Sequence, residues 1–462
     1  MFRHIKHIHF VGIGGAGMSG MAELLFNLQY EITGSDLLKT AITERLSSLG
    51  AKIFYNHRFQ NVEGADVVVY SSAVGPENPE LQEASRRKIP LVRRAELLAE
   101  LMRMKEGIAI AGTHGKTTTT SMVGRILKEA GSDPTLIVGG VVKSLGASAR
   151  LGNSNFLVCE ADEFDRSFLK LAPTIAVVTN IDVDHLDCYK NFRAIKNAFL
   201  QFLNKVPFYG ACILCIDDKG VESILPRLER KVITYGLREN AHIRAEEVHF
   251  RRFSSEFTVV HRSDRNRLSL EVPGIHNVRN ALAAISVGIE LEVDIETIGR
   301  ALHEFKGVHR RFEIKGERDG IMVVDDYAHH PAEIEATLSA ARSGFERRVV
   351  TVFQPHLYSR TRDFCIEFAR ALGMSDVLVV TDIYPAREAP IEGVSGELIT
   401  QAVQEGGHKE AYFVSDWNEL VQFLSRVTRE GDMLITMGAG DIWEVGKLFL
   451  STGADNGDQH RG

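Results

Sequence analysis

Cysteine is scarce in this sequence and follows no regular spacing. Cys159, Cys188, Cys212, Cys215 and Cys365 form an odd set spread over a long chain, which argues against a disulfide framework and for reduced thiols. Cys212 and Cys215 make a C-x-x-C, but it lies inside the apolar run 211–216 with no second Cys/His pair nearby. A buried strand is expected there rather than a zinc or redox site. No run approaches the ~20 apolar residues that cross a bilayer, and the basic first residues lead into a stretch too short and glycine-rich for a signal peptide. Excess charge of one sign is also missing: 54 Lys and Arg face 61 Asp and Glu, a net of −7. Nothing in that balance points to a nucleic-acid or membrane partner, and a cytoplasmic protein, monomer or homodimer, is expected. Internal repeats, low-complexity tracts and long linkers are not found either, so the domains are expected to abut and to close by hinging.

What is present is an ordinary globular composition, 44% hydrophobic and 25% charged over 462 residues. At about 150 residues per domain this length suggests roughly three domains. Short apolar runs alternate with amphipathic stretches: strands at 8–11, 31–35 and 66–70, helices at 16–28 and 80–87. A second block opens at Gly107 with buried strands at 108–111, 156–159, 175–179, 211–216 and 231–235, and a helix at 122–130 after a glycine-threonine loop. From His242 to Val272 residues alternate with charged faces, as in an antiparallel extension, and a helix at 278–289 follows. A third block from about Val308 places strands at 321–324, 349–353, 377–381 and 433–436. The fold class is α/β, built from parallel, doubly wound sheets.

The strongest chemical signal is the run from Ala111 to Thr120, AGTHGKTTTT. A strand delivers the chain into a glycine loop whose N–H groups can wrap phosphate oxygens at a helix N-terminus. Lys116 would reach the β/γ-phosphates and Thr117 would offer a hydroxyl to Mg²⁺. Only Thr113 and His114 separate Gly112 from Gly115, so this is a shortened phosphate loop. Acidic residues follow at two later strand ends, in EADEFD (160–165) and NIDVDHLD (180–187). Hard oxygen ligands of this kind suit Mg²⁺, and a second metal could take Glu160 and His185 together.

Further polar groups gather where ligands of open α/β sheets bind. Asn277 and Asn280 share a helix face, where amides could read a purine base or Asn277 could cap the helix. HRRFE (309–313), DDYAHHP (325–331) and QPHLYSRTR (354–362) open the third block and two of its strand ends. At the N-terminus, GIGGAGM (12–18) follows a strand and enters a helix, Asp36 ends the next strand, and Ser71 and Ser72 follow a third. Alone, that glycine loop reads equally as a dinucleotide site or as a cradle for any diphosphate.

Taken in order, GIGGAGM, GTHGKTTTT, EADEFD…TNIDVDH, GIHNVRNALAA, HRRFE and DDYAHHPAEI resemble the bacterial Mur ligases, from about residue 5 to about residue 445. The resemblance implies an N-terminal Rossmann-like domain for a UDP-sugar (1–105), a central ATPase-type domain with a small antiparallel extension (106–307), a C-terminal Rossmann-like domain for an amino acid (308–450) and a tail (451–462). It implies ATP-driven joining of L-alanine to the lactyl carboxylate of UDP-N-acetylmuramate through an acyl phosphate. By motif, Gly112, Thr113, His114, Gly115, Lys116, Thr117 and Thr118 would hold phosphate and Mg²⁺, with Glu160 and His185 as metal ligands. His276, Asn277 and Asn280 would hold the adenine region, Arg311 a phosphate, and Asp326 would lie near the ribose. Gly14, Gly15, Gly17, Asp36, Ser71 and Ser72 would hold the UDP portion. Tyr327, His329, His356, Tyr358, Arg360 and Arg362 would line the amino-acid and acyl-phosphate site.

Two features depart from the family pattern. Neither Lys190 nor Lys196 matches the carbamylated lysine of several members that add later residues, in keeping with an alanine-adding enzyme, and Phe164 and Arg166 replace serine and small residues. Three other readings stay open on sequence alone: a recycling ligase that attaches a preformed tripeptide, a switch that merely hydrolyses ATP, and a nicotinamide-dependent oxidoreductase built on the first glycine loop.

Overall fold

A computed structural model describes residues 4–71, 73–142, 147–183, 188–386 and 388–452. Its strands form three sheets. The first has five parallel strands in the order Lys52–Phe54, Glu31–Ser35, His7–Val11, Val67–Tyr70 and Leu91–Arg93. Strand His7–Val11 is central and buried at every position, as the apolar run predicts. Because all five strands run the same way, the segments after Val11, Ser35, Tyr70 and Arg93 emerge along one edge. The order reverses beside the central strand, which is where such sheets open a crevice for ligands.

The ten-stranded second sheet is centred on Glu106–Ala111, which lies between Ile175–Val178 and Phe156–Glu160, both parallel to it. Strands Ile243–Arg251, Ser254–His261 and Asp264–Leu270 continue one end of this sheet in chain order, as the alternating pattern there predicts. Thr135–Val142 and Ala147–Arg150 add an antiparallel pair at the other end. The third sheet runs Glu313–Arg318, Ile321–Asp326, Met433–Met437, Val349–Phe353, Val377–Val380 and Ala411–Phe413. Its first pair is antiparallel and the rest is parallel. Among the described residues no helix is long and apolar enough to cross a membrane.

The chain separates into two compact units. One is Met1–Glu247, Phe257–Ser269 and Val278–Lys306; the other is Val248–Glu256, Leu270–Asn277 and Gly307–Gly462. The first unit holds both the five-stranded sheet and most of the ten-stranded one, and a single buried cluster explains why. It runs from Phe10, Met21 and Leu25 through Leu98 and Leu101 to Phe168, Phe199 and Phe202. Within it Phe168 is stacked on Phe202 at 5.0 Å and edge-on to Phe199 at 5.1 Å. Cys212 and Cys215 lie in the buried strand Ala211–Cys215, where burial pushes both thiols up to about 12 and leaves them inert.

One buried polar network ties the first sheet to helix Pro79–Arg86. The Glu80 carboxylate accepts from Ser35 Oγ at 2.6 Å and Asn61 Nδ2 at 2.5 Å, with His57 Nδ1 at 3.1 Å. Burial alone would raise this carboxyl, but the His9 ring 3.8 Å away and the hydrogen bonds from Ser35 and Asn61 outweigh it and hold it below its usual 4.5. Its stabilising contribution is therefore complete above pH 4.5 and is lost as pH falls through its lower folded-state value. Glu80→Ala leaves these buried donors unpaired and is expected to cost about 2–4 kcal/mol. Thermal unfolding at pH 7 should show a clear drop in midpoint, with Glu80→Gln intermediate.

Candidate active site

The glycine loop keeps its shape because the next strand grips it. Gly112 has φ +130°, and a Cβ there would stand 2.0 Å from Thr179 Oγ1. Gly115 has φ +83°, and its Cβ would stand 2.4 Å from Asn280 Oδ1. Both positions thus require glycine for conformation and for space. Beyond strand Ile175–Val178, Asn180 Oδ1 accepts from His114 N at 2.8 Å, and Asn180 Nδ2 donates to His114 O at 3.0 Å. Thr179 Oγ1 donates to His114 O at 2.6 Å, and Thr113 Oγ1 accepts from Asp182 N at 2.9 Å.

The threonine run expected in the loop is helical: the helix spans Lys116–Glu129 and begins directly after Gly115. Threonine is a mediocre helix former, but here the hydroxyls bond back along the helix. Thr120 Oγ1 donates to Lys116 O and Ser121 Oγ to Thr117 O, each at 2.8 Å, while Thr119 Oγ1 donates across to Asn280 Oδ1 of another helix at 3.3 Å. Thr118 is buried in the same turn. The early start points the first N–H groups of the helix at the loop, as phosphate binding requires.

Lys116 reaches Glu163 Oε2 at 2.9 Å and Oε1 at 3.0 Å, and Gly112 O at 2.7 Å. Burial would lower this amine, but Glu163, Asp162 and Glu160 together push it up to about 12, so it stays charged. Glu160 ends strand Phe156–Glu160, accepts from Gly139 N at 2.7 Å and takes a hydrogen bond from the Thr117 hydroxyl. Burial raises its carboxyl. A hydroxyl and a desolvated carboxylate in contact, beside a fixed cation, form a hard-oxygen set that fits Mg²⁺. His185, expected as a second ligand, lies outside the described residues, as does Ser72. Glu163 was not singled out from sequence; its signal was the third acid of the EADE run.

Asn277 and Asn280 lie on helix Ile275–Glu290, with His276 in its first turn. Asn277 Nδ2 donates to Pro273 O at 2.7 Å, so this amide anchors the helix start. Asn280 instead faces the phosphate loop, through the Thr119 and Gly115 contacts given above.

In the other unit, Arg310 and Phe312 adopt φ +56° and +45°, an unusual pair of left-handed non-glycine residues that flank Arg311. Arg310 is consumed by structure: Nε reaches Asp325 Oδ2 at 2.9 Å, Nη1 Gly440 O at 2.9 Å and Nη2 Gly438 O at 2.6 Å. Arg311 is more exposed, lies over the Tyr327 ring at 5.3 Å and approaches Glu333 Oε1 at 3.6 Å. Asp326 accepts from Phe312 N and Ala328 N, each at 2.8 Å. Burial pushes its carboxyl up to about 6, against the pull of Arg311 and those two N–H groups.

Tyr327, His329, His356 and Arg360 come together. The rings of Tyr327 and His329 are 5.4 Å apart, those of His329 and His356 5.5 Å, and Arg360 Nη1 is 3.3 Å from His356 Nδ1. Tyr384, stacked on His356 at 5.9 Å, belongs to this group and was missed from sequence, although it follows the strand Val377–Val380. Tyr358 opens the short helix Tyr358–Asp363, while Arg362 turns away to Asp363 at 2.7 Å.

At the edge of the first sheet, Gly14 N donates to Asp36 Oδ2 at 2.8 Å, so Asp36 braces the glycine loop. Gly15 caps helix Ala16–Asn27, and Ser71 follows strand Val67–Tyr70. A Cβ on Gly17 would stand 2.8 Å from Arg94 Nη1. Arg94 carried no signal in the sequence.

Family profiles match the whole arrangement in sequence: "Mur ligase family, catalytic domain" over 7–106, "Mur ligase middle domain" over 110–288, and "Mur ligase, glutamate ligase domain" over 310–440. A curated UDP-N-acetylmuramate–L-alanine ligase of Geobacter sp. (strain M21) is 55% identical over 452 residues, covering 97% of this chain and 98% of that protein. Among solved structures, UDP-N-acetylmuramate-alanine ligase from Thermotoga maritima is similar with TM-score 0.83 at 33% identity, covering 98% and 100% of the two chains. A murein peptide ligase from Psychrobacter arcticus is similar with TM-score 0.72 at 25% identity, covering 96% and 98%.

Gly112→Ala is expected to weaken nucleotide binding by roughly 10- to 100-fold through backbone strain and the clash with Thr179, read by titration with a non-hydrolysable ATP analogue. Asp326 should carry full charge only above pH 6, so kcat/KM is expected to fall as pH drops through about 6. Asp326→Asn should lack that limb. Stability moves oppositely: this raised carboxyl favours the folded state below its ordinary 3.8 and loses that contribution as pH rises through about 6.

Proposed function

The chain belongs to the Mur ligase family, and on that premise we propose that it joins L-alanine to the lactyl carboxylate of UDP-N-acetylmuramate with cleavage of ATP, a step of peptidoglycan precursor synthesis. The observation that carries this reading is the end-to-end 55% identity to a curated ligase of that name. The glycine loop and its acidic neighbours supply the chemistry.

In the first step a lactyl carboxylate oxygen attacks the γ-phosphorus of ATP, and ADP leaves, giving an acyl phosphate. In the second the alanine amine attacks the acyl carbon, loses a proton, and expels phosphate from the tetrahedral intermediate. The N–H groups of 113–117 and the Lys116 ammonium hold the transferring phosphoryl group and offset its charge. Thr117 and Glu160 would hold Mg²⁺, which when bound supplies further positive charge beside the phosphates. Asn280 and His276 are assigned to the adenine region, Arg311 to phosphate and Asp326 to the ribose. The Tyr327, His329, His356 and Arg360 group, with Tyr358 and Arg362 at its margin, is assigned to the amino acid, whose carboxylate suits a guanidinium. Gly14, Gly15, Gly17, Asp36 and Ser71 are assigned to the UDP portion. The domain partition that goes with these roles is 1–105, 106–307 and 308–450. A reaction fed by ATP and a UDP-sugar belongs in the cytoplasm.

The similarity to a murein peptide ligase keeps a second acceptor, a preformed tripeptide, as the competing reading. Phosphate release from ATP and Mg²⁺ with UDP-N-acetylmuramate, tested separately with L-alanine and tripeptide, decides between them. Release that needs both the sugar nucleotide and L-alanine is expected. Release with tripeptide alone would transfer the protein to recycling, and release indifferent to both would refute the ligase reading. Lys116→Ala should lower kcat by about 100-fold or more.

A further inference from the structure

A cationic pocket lies between the helix Arg94–Met102 and the turn Phe164–Lys170, lined by Arg93, Arg94, Glu96, Arg166, Ser167 and Lys170. Four cations face one carboxylate in a chain of net charge −7. Such local reversal of sign marks an anion site.

The sequence breaks two local rules to build it. Arg93 and Arg94 occupy the N-cap and first position of a helix, where the positive end of the helix dipole disfavours cations. Arg166 sits at φ +59°, a left-handed conformation that glycine adopts more easily. Rules broken together at one place point to a ligand rather than to stability. The arginines are also held in place: Arg93 Nε donates to Tyr70 OH at 3.2 Å, and the Arg166 guanidinium lies over the Tyr189 ring at 5.1 Å. Lys170 approaches Glu96 at 3.5 Å, and Arg94 approaches Asp162 at 3.9 Å.

Position gives the occupant. Strand Leu91–Arg93 ends on the same sheet edge as the segments carrying Gly14, Asp36 and Ser71. Arg94 crosses that edge to the first turn of helix Ala16–Asn27, where its guanidinium takes the space a side chain at position 17 would fill. The pocket therefore continues the glycine cradle.

We propose that Arg94 and Arg166, with Lys170, grip the diphosphate of the sugar nucleotide from two sides, Arg94 from the first sheet and Arg166 from the turn after strand Phe156–Glu160. This rests on the sugar-nucleotide reading of the glycine loop. Binding the diphosphate then pins the UDP domain to the segment that also carries Glu160 and Glu163, and so sets where the carboxylate meets the phosphate loop.

The test is calorimetric titration of the full chain with uridine, UDP, inorganic diphosphate and an ATP analogue. Arg94→Ala and Arg166→Ala are each expected to weaken UDP about tenfold or more, with uridine and the ATP analogue unchanged. Arg166→Gly relieves the left-handed strain, so it should unfold no earlier than the parent while still losing UDP affinity. A structural role for Arg166 would predict the reverse. UDP affinity within twofold of the parent in both alanine variants, or equal loss of uridine, would overturn the proposal. If the parent binds inorganic diphosphate at this pocket but not UDP, the sugar-nucleotide reading fails and the anion site stands; if it binds neither, both fall.

Discussion

The phosphate loop depends on a grip from outside itself. Residues 112–115 have no regular structure of their own; the Thr113 hydroxyl accepts from Asp182 N, and backbone groups of the loop are met by Thr179 and Asn180. These partners come from the end of a neighbouring parallel strand, so the loop is as rigid as the centre of the ten-stranded sheet. That rigidity lets Lys116 remain charged in a largely buried place, because Glu163 and the loop carbonyls are already positioned around it.

Parallel strands extend the same logic to the other sheets. Each delivers its functional segment on one edge, and what differs is the side chain that follows the strand: glycine and aspartate in the first sheet, glycine-lysine and glutamate in the second, aspartate, histidine and tyrosine in the third. The chemistry of the chain is thereby distributed by topology, with little contribution from helix faces except Asn280, which crosses to the phosphate loop.

Apolar runs made the central strands legible, because a strand covered on both faces must be continuous in Val, Ile and Ala. Short or charged edge strands escaped that test: Lys52–Phe54, Leu91–Arg93 and Glu313–Arg318 owe their pairing to a neighbour rather than to their own pattern. The phosphate loop was readable from the order of its glycines and lysine, but its boundary was not, since a run of threonines argues for a loop until the backbone-bonded hydroxyls are counted. Glu163 and Arg94 were hidden for another reason. Each acts on a residue far away in sequence, Lys116 in one case and Gly17 in the other, and no local pattern records such a meeting.

The shared apolar cluster around Phe168 bears on synthesis as well as on architecture. Its members are spread from Phe10 to beyond Phe202, so the first sheet cannot complete its core when its own last strand leaves the ribosome. At about 5–20 residues per second, the helix carrying Phe199 and Phe202 follows some seconds to tens of seconds later. During that interval Leu98 and Leu101 remain uncovered, an exposed surface suited to a chaperone. The nascent chain therefore has to wait for its second sheet before its first becomes a finished object.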